Sequence, residues 1–174
     1  MTMNHEDFER AASYWECKEK ERDVNANMPP TELRTAIDDF LSSHNTCALA
    51  TGAGDFVRCT PLEYLWHDGA FWIFSEGGRK FTGLEHNGNV CLAVYEPYTG
   101  FGKLASVQVA GRAEVVDPAS PEFVQAMGYR GIPEAQCDKI ARMLHLIKIV
   151  PGEIDLLDSS LKKQGFDSRQ HLSW

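Results

Sequence analysis

The stretch Leu104–Val116 constrains the fold more than any other part of the chain. Its side chains alternate: Ala105, Val107, Val109, Ala113 and Val115 fall on one side of an extended backbone, and Ser106, Gln108, Ala110, Arg112 and Glu114 on the other. Asp117-Pro118 ends the run. A strand with one apolar side must be covered, and shorter runs of similar character supply partners. These are Thr46–Thr51, Phe56–Trp66, Ala70–Ser75, Asn89–Tyr95 and, around Pro151-Gly152, Leu146–Val150 with Glu153–Leu157 as one final strand or a kinked pair. Turn residues separate them, and Asp68-Gly69 between two such runs is a strong hairpin signal. Many short strands in mostly antiparallel order, with helices between them, predict a small closed or partly closed barrel of six strands.

Helices frame this barrel. His5 to Asp23 places Phe8, Ala11, Ala12, Trp15 and Glu19 at helix-like spacing, so one face can dock while the other is solvated. Asn25 to Pro30 breaks that pattern, and Pro30 suits the start of a second helix over Thr31–Ser43, with Leu33, Ile37, Phe40 and Leu41 on one side. Further helices are predicted over Arg79–Asn87, Pro121–Met127 and Pro133–Leu144. The tail from Ser159 is polar, and Trp174 reads as the end of a frayed segment. No repeat or linker divides the chain. One domain spans 1–174, with a helical extension over 1–43, the barrel over 44–158 and the tail over 159–174.

Charge narrows the function. The 174 residues carry a formal net charge of −8 and no Lys/Arg block, which argues against a broad nucleic-acid or anionic-membrane surface. A small anion pocket needs only two or three cations and stays open. No basic leader precedes an apolar stretch and no apolar run reaches membrane-spanning length. The five cysteines, Cys17, Cys47, Cys59, Cys91 and Cys137, are odd in number and lack Cys-x-x-Cys spacing, as expected of a reduced, cytoplasmic chain. Cys47, Cys59 and Cys91 lie inside strand-like runs, where a thiol serves as a small hydrophobe.

The chemistry concentrates in Phe74-Ser75-Glu76-Gly77-Gly78-Arg79-Lys80. A strand ends at Ser75, two glycines let the backbone turn, and a helix opens with adjacent cations. This arrangement offers a phosphate a hydroxyl, free helix-terminal N–H groups and two positive side chains. Read blandly, it is a loop with two solvated cations, although cations at a helix start oppose the dipole unless an anion is near. Arg58, mid-strand in Phe56–Leu62, shares a face with Thr60, and Pro61 marks an edge, a bulge or exposed backbone.

Taken in order, Arg58-Cys59-Thr60-Pro61-Leu62-Glu63, Asp68-Gly69, Phe74-Ser75 and Arg79-Lys80 resemble the pyridoxamine 5′-phosphate oxidase family. Leu84–Val90 is similar to that family's helix-to-strand passage, and Val107–Glu114 to its long strand with a central Gly-x-Ala-Glu. The resemblance implies a homodimeric split β-barrel that binds FMN across a two-fold interface. It implies that Arg58, Thr60, Ser75, Arg79 and Lys80 hold the phosphate and line the ring pocket, with Phe74 beside Ser75. Cys59, Pro61 and Leu62 would lie with Arg58 along the ring, and Ser106 or Gln108 would reach the flavin of the opposite subunit. The activity implied is that of an FMN-dependent oxidoreductase with a small-molecule electron donor or substrate.

Departures from the family pattern bear on that activity. Glu63 stands where the family's true oxidases have a substrate-binding Lys, and a carboxylate there repels a substrate phosphate. Arg169-Gln170-His171 echoes a closing Arg-x-His of those enzymes without its flanking segments, and reads as coincidence. Pyridoxamine phosphate oxidation is therefore not the expected activity. The alternatives are a non-catalytic flavin- or haem-binding protein on the same barrel and a barrel whose pocket has lost its ligand. The six histidines show no metal-ligand spacing, and Gly77-Gly78 is no dinucleotide fingerprint.

Overall fold

The long alternating stretch forms a strand as expected, and the rest of the chain wraps around it. The computed structural model describes residues 3–174. Its strands are β1 (Thr46–Ala53), β2 (Phe56–Glu63), β3 (Leu65–His67), β4 (Ala70–Ser75), β5 (Asn89–Tyr95), β6 (Ala105–Val116), β7 (His145–Asp158) and β8 (Arg169–Ser173). Helices α1 (His5–Ala12), α2 (Tyr14–Glu21), α3 (Pro30–Ser43), α4 (Lys80–Leu84), α5 (Pro121–Tyr129) and α6 (Cys137–Ala141) surround one antiparallel sheet. Its order is β2-β1-β5-β6-β7-β4-β3, and β8 pairs with the second half of β7. No helix among the described residues is long and apolar enough to cross a membrane.

Strands β2 and β3 stand at opposite ends of that order, yet only Tyr64 lies between them in the chain. The sheet must therefore curl until its two ends meet. Tyr64 holds the seam: its ring is buried, its N–H donates to the Asn45 carbonyl at 2.8 Å, and its hydroxyl donates to the Leu41 carbonyl at 2.8 Å. No ladder joins β2 to β4, so the result is a half-barrel, curled but split along one side.

The sequence predicts six strands, and the described residues form eight. Tyr64 divides the expected strand Phe56–Trp66, because a buried ring and a hydrogen bond to Asn45 take it out of the ladder. The polar tail supplies the other, β8. Pro151-Gly152 does not interrupt β7. The register steps from Ala110↔Glu153 to Gly111↔Pro151, which leaves Gly152 as the extra residue of a bulge and lets a 14-residue strand bend. Beyond that bend Val115 is exposed, against expectation, and Val116 instead joins a second core with Phe123, Ala126 and Met127 of α5.

The main core fills the curl of the sheet. Leu49, Leu92, Val107, Val109, Phe71, Ile149 and Ile154 line it, and α3 plugs it with Leu33, Ile37 and Leu41, one helical turn apart. Pro30 opens that helix as predicted. The β3–β4 hairpin turns through Asp68 at φ 51° and Gly69 at φ 70°, the two left-handed residues of a tight two-residue turn. The end of the chain is docked rather than frayed: the Trp174 indole N–H donates to the Gly69 carbonyl at 3.1 Å, and the Arg34 guanidinium lies 3.8 Å above its ring. The expected helix over Pro133–Leu144 shortens to a 3₁₀ turn and α6. The first helix breaks at Ser13 into α1 and α2, which bury no residue. Phe8 and Trp15 stay exposed, so their apolar face finds no core within the chain.

Candidate functional site

Where β4 ends, the backbone leaves the sheet through Gly77 at φ 130° and Gly78 at φ 102°, conformations that side chains resist. The buried Ser75 hydroxyl accepts the Gly77 N–H at 3.2 Å and donates to the Gly77 carbonyl at 3.3 Å. The Lys80 ammonium donates to the same carbonyl. Lys80 is only 5% exposed, and its pKa is lowered, first by burial and then by the charge of Arg58. Arg79 is exposed and holds its guanidinium 5.6 Å from the ring of Phe56, two residues before Arg58 on β2. Arg58, Ser75, Arg79 and Lys80 thus gather where β2 and β4 part.

Among the described residues, none of the three cations is in a salt bridge. In a chain of net charge −8, an unpaired positive cluster with one member buried is a costly arrangement unless an anion completes it. The helix adds less than expected. It runs over Lys80–Leu84 rather than Arg79–Asn87, and two N–H groups near its start, of Phe81 and Thr82, already donate to the carbonyls of Gly78 and Arg79. The attraction for an anion therefore rests on side chains.

Close packing holds these cations in place. A Cβ on Gly83 of α4 would lie 3.0 Å from the Gly52 nitrogen and 3.1 Å from Thr51 Cβ, so any larger residue would push α4 away from the β1 backbone. Gly83→Ala is expected to cost about 1–3 kcal/mol in urea unfolding and to loosen the Lys80 region with it. The buried Thr51 hydroxyl at this contact has no hydrogen-bond partner, and no sequence signal singled it out.

The other expected site residues fall in three places. Thr60 and Leu62 are half-buried on the side of β2 that carries Arg58, opposite the buried Leu49 and Cys47 of β1. Cys59 and Pro61 face outward and are exposed. Phe74 does not join Ser75: strand alternation turns it to the opposite side, where it packs beside the α5 core under the Arg130 guanidinium, 4.9 Å away. Ser106 and Gln108 lie on β6, away from the cation cluster. Gln108 lines a separate cavity with Trp15, Arg22, Asp155, Arg169 and His171. Arg169 and His171, read from sequence as a chance echo, thus share a cavity with Gln108. The Nδ1 of His171 lies 3.0 Å from an Asp155 carboxylate oxygen.

Of the three cysteines in strand-like runs, only Cys47 is buried, and burial pushes its thiol up to about 12. Cys59 and Cys91 are exposed on the outer side of the sheet. No three His, Cys, Asp or Glu side chains cluster as metal ligands among the described residues.

A curled antiparallel half-barrel, split along one side, defines the class of fold, and comparison gives that class a family. Residues 33–158 match the pyridoxamine 5′-phosphate oxidase family, and the chain belongs to it. Helices α1 and α2 and strand β8 lie outside the matched stretch. No curated protein matches the chain. Solved structures share its fold at low identity. An FAD-binding protein from Mesorhizobium loti is 21% identical over 70% of this chain and 89% of its own, with a TM-score of 0.57. A conserved hypothetical protein from Mycobacterium tuberculosis is 22% identical over 88% and 96%, with a TM-score of 0.61. The haem storage protein HutZ of Vibrio cholerae is 17% identical over 67% and 88%, with a TM-score of 0.53.

Proposed function

We propose that this protein binds FMN at a homodimer interface and acts as an FMN-dependent oxidoreductase. The observation that carries the reading is the convergence of Arg58, Arg79 and Lys80 around Ser75 with no carboxylate to pair them. A terminal phosphate fits that set: Lys80 supplies a compact charge, the arginines supply forked donors, and Ser75 supplies a hydroxyl. Bound there, FMN would supply the redox chemistry, and the protein its binding, orientation and electrostatic setting. The outer edge of β2 has no strand partner, so backbone groups along Arg58–Leu62 are free to hydrogen-bond a flat heteroaromatic ring.

A second copy suits the outer face of the sheet. Val57, Cys59, Cys91, Tyr95 and Ala110 are exposed there, and the small residues Ala48, Ala50 and Ala93 permit close approach. Ser106 and Gln108 stand on this face, and in this reading they contact the flavin held by the other subunit. Exposed free thiols suit a reducing cytoplasm.

The absorbance spectrum of purified protein, followed by identification of the released cofactor, tests this reading. The expected result is a yellow protein holding FMN that oxidises a reduced nicotinamide or a similar small donor. Arg79→Ala, at an exposed site, is expected to weaken FMN retention by roughly three- to tenfold. A Soret band on haem titration together with no uptake of FMN would replace flavin with haem. Tight FMN binding without turnover of any donor would leave a flavin-binding protein.

A further inference from the structure

The first two helices are turned inside out. A short helix is marginal in water unless its apolar side packs. Yet α1 and α2, eight residues each, bury no residue, although a capping box closes the start of α1, with the Asn4 side chain accepting the Asp7 N–H at 2.9 Å. The side that meets the rest of the chain is the polar one. Glu16, Glu19 and Arg22 line a cavity with Gln108, Asp155 and Arg169, and the nearly buried Arg22 guanidinium lies 3.5 Å from Asp167. Trp15 lies 4.4 Å from the Arg169 guanidinium and packs edge to face with Tyr14, 5.0 Å away. Phe8, Tyr14 and Trp15 are each at least half exposed. The two helices thus form an arm, fastened to the tail at Arg22 and showing its aromatic side to solvent.

The outer face of the sheet offers what this arm lacks. Its β6–β7–β8 half carries Arg112, Glu153, Asp155 and Arg169, and the arm lies there. On the other half no outward side chain is charged from Val57 to Pro61 on β2, from Ala48 to Ala50 on β1 or from Cys91 to Tyr95 on β5. Aromatic rings can be buried on that half without stripping water from an ion. Three strands about 4.8 Å apart, over about five residues, make it on the order of 300 Å², well short of the ~800 Å² that each partner of a stable dimer buries. The half-exposed aromatics of the arm add on the order of 300 Å² more. We propose that the arm of one subunit docks on the uncharged half of a second copy, so that the two copies exchange arms. One patch then holds both surfaces, as an isologous two-fold contact requires. This inference rests on the homodimer of the functional reading and not on its flavin.

Sedimentation equilibrium and crosslinking of the full-length chain test the exchange. Cys17 on α2, and Cys59 and Cys91 on the uncharged half, are exposed free thiols. Cys17→Ser protein is equilibrated with a Cys59→Ser/Cys91→Ser double variant, so that an arm thiol and a face thiol meet only across two chains. A short bis-maleimide is then added. The expected product is a Cys17–Cys59 or Cys17–Cys91 linked peptide, identified by mass spectrometry. Phe8→Ser/Tyr14→Ser, at sites exposed in the single chain, is expected to weaken the dimer by roughly 10- to 100-fold. Unchanged dimer affinity in that variant, with no arm-to-face link in the mixture, would overturn the proposal and leave the homodimer standing. An arm-to-face link that forms in wild type but never in the mixture would overturn it too, because the arm would then lie on its own chain. A wild type that sediments as a monomer would overturn the homodimer and the exchange together.

Discussion

Lys80→Met is expected to weaken FMN binding by about ten- to a hundredfold while leaving the flavin-free protein as stable as wild type or more so. The loss follows from removing a charged hydrogen-bond donor to a phosphate, worth about 1.5–3 kcal/mol. The gain follows from the ligand-free state. There, a nearly buried ammonium has given up water, faces Arg58, and finds in return the Gly77 carbonyl and the Phe81 ring 5.3 Å away. A thioether of similar length removes both penalties. Flavin titration and thermal unfolding of the same two proteins check the paired outcome. Retention of wild-type affinity by Lys80→Met would remove the phosphate from this mouth.

The same residue gives the site a pH signature. Lys80 has a folded-state pKa below its ordinary 10.5, whereas the unfolded chain keeps the proton up to 10.5. Between those two values the unfolded state binds more protons, so the flavin-free protein gains stability as pH rises through that window. Flavin affinity runs the other way, because deprotonating Lys80 removes its attraction for a phosphate. Stability and affinity should therefore diverge over the same alkaline interval in wild type, and neither trend should survive in Lys80→Met.

Tyr64→Ala is expected to destabilise the fold by about 3–5 kcal/mol, the range for deleting a buried aromatic ring. Tyr64→Phe, which leaves only the Leu41 carbonyl without its donor, should cost about 1–2 kcal/mol. Urea unfolding of the three proteins checks both values. The effect should reach the ligand site, since Tyr64 is the single residue between the two ends of the sheet and the cation cluster forms where those ends part. A Tyr64→Ala protein with near wild-type stability would mean that the main core alone closes the curl.

Much of the site was legible because its parts are local. The Gly77-Gly78 break, the adjacent Arg79 and Lys80, and Arg58 on a strand with Thr60 can all be read from neighbours in the chain, and the structure brings Arg58, Ser75, Arg79 and Lys80 to one mouth. The resemblance put Phe74 in the site beside Ser75, whereas alternation along β4 sends the two side chains to opposite sides. The tail was misjudged for a related reason. Its polar residues are satisfied at long range, as where the buried Gln170 accepts the Met28 N–H at 2.9 Å and donates to the Ala26 carbonyl at 3.1 Å.

By itself the sequence determined the strand periods, the Asp68-Gly69 hairpin, the start of α3 at Pro30, and the cations available for an anion. Each depends on backbone preferences and side-chain alternation within a few residues. Only the tertiary structure decided that the second strand breaks at Tyr64, that β8 joins β7, and that Glu63 meets Arg130, its partner 67 residues away. Such pairings depend on how far the sheet curls, and that curvature is set by the whole packed core and not by any one segment.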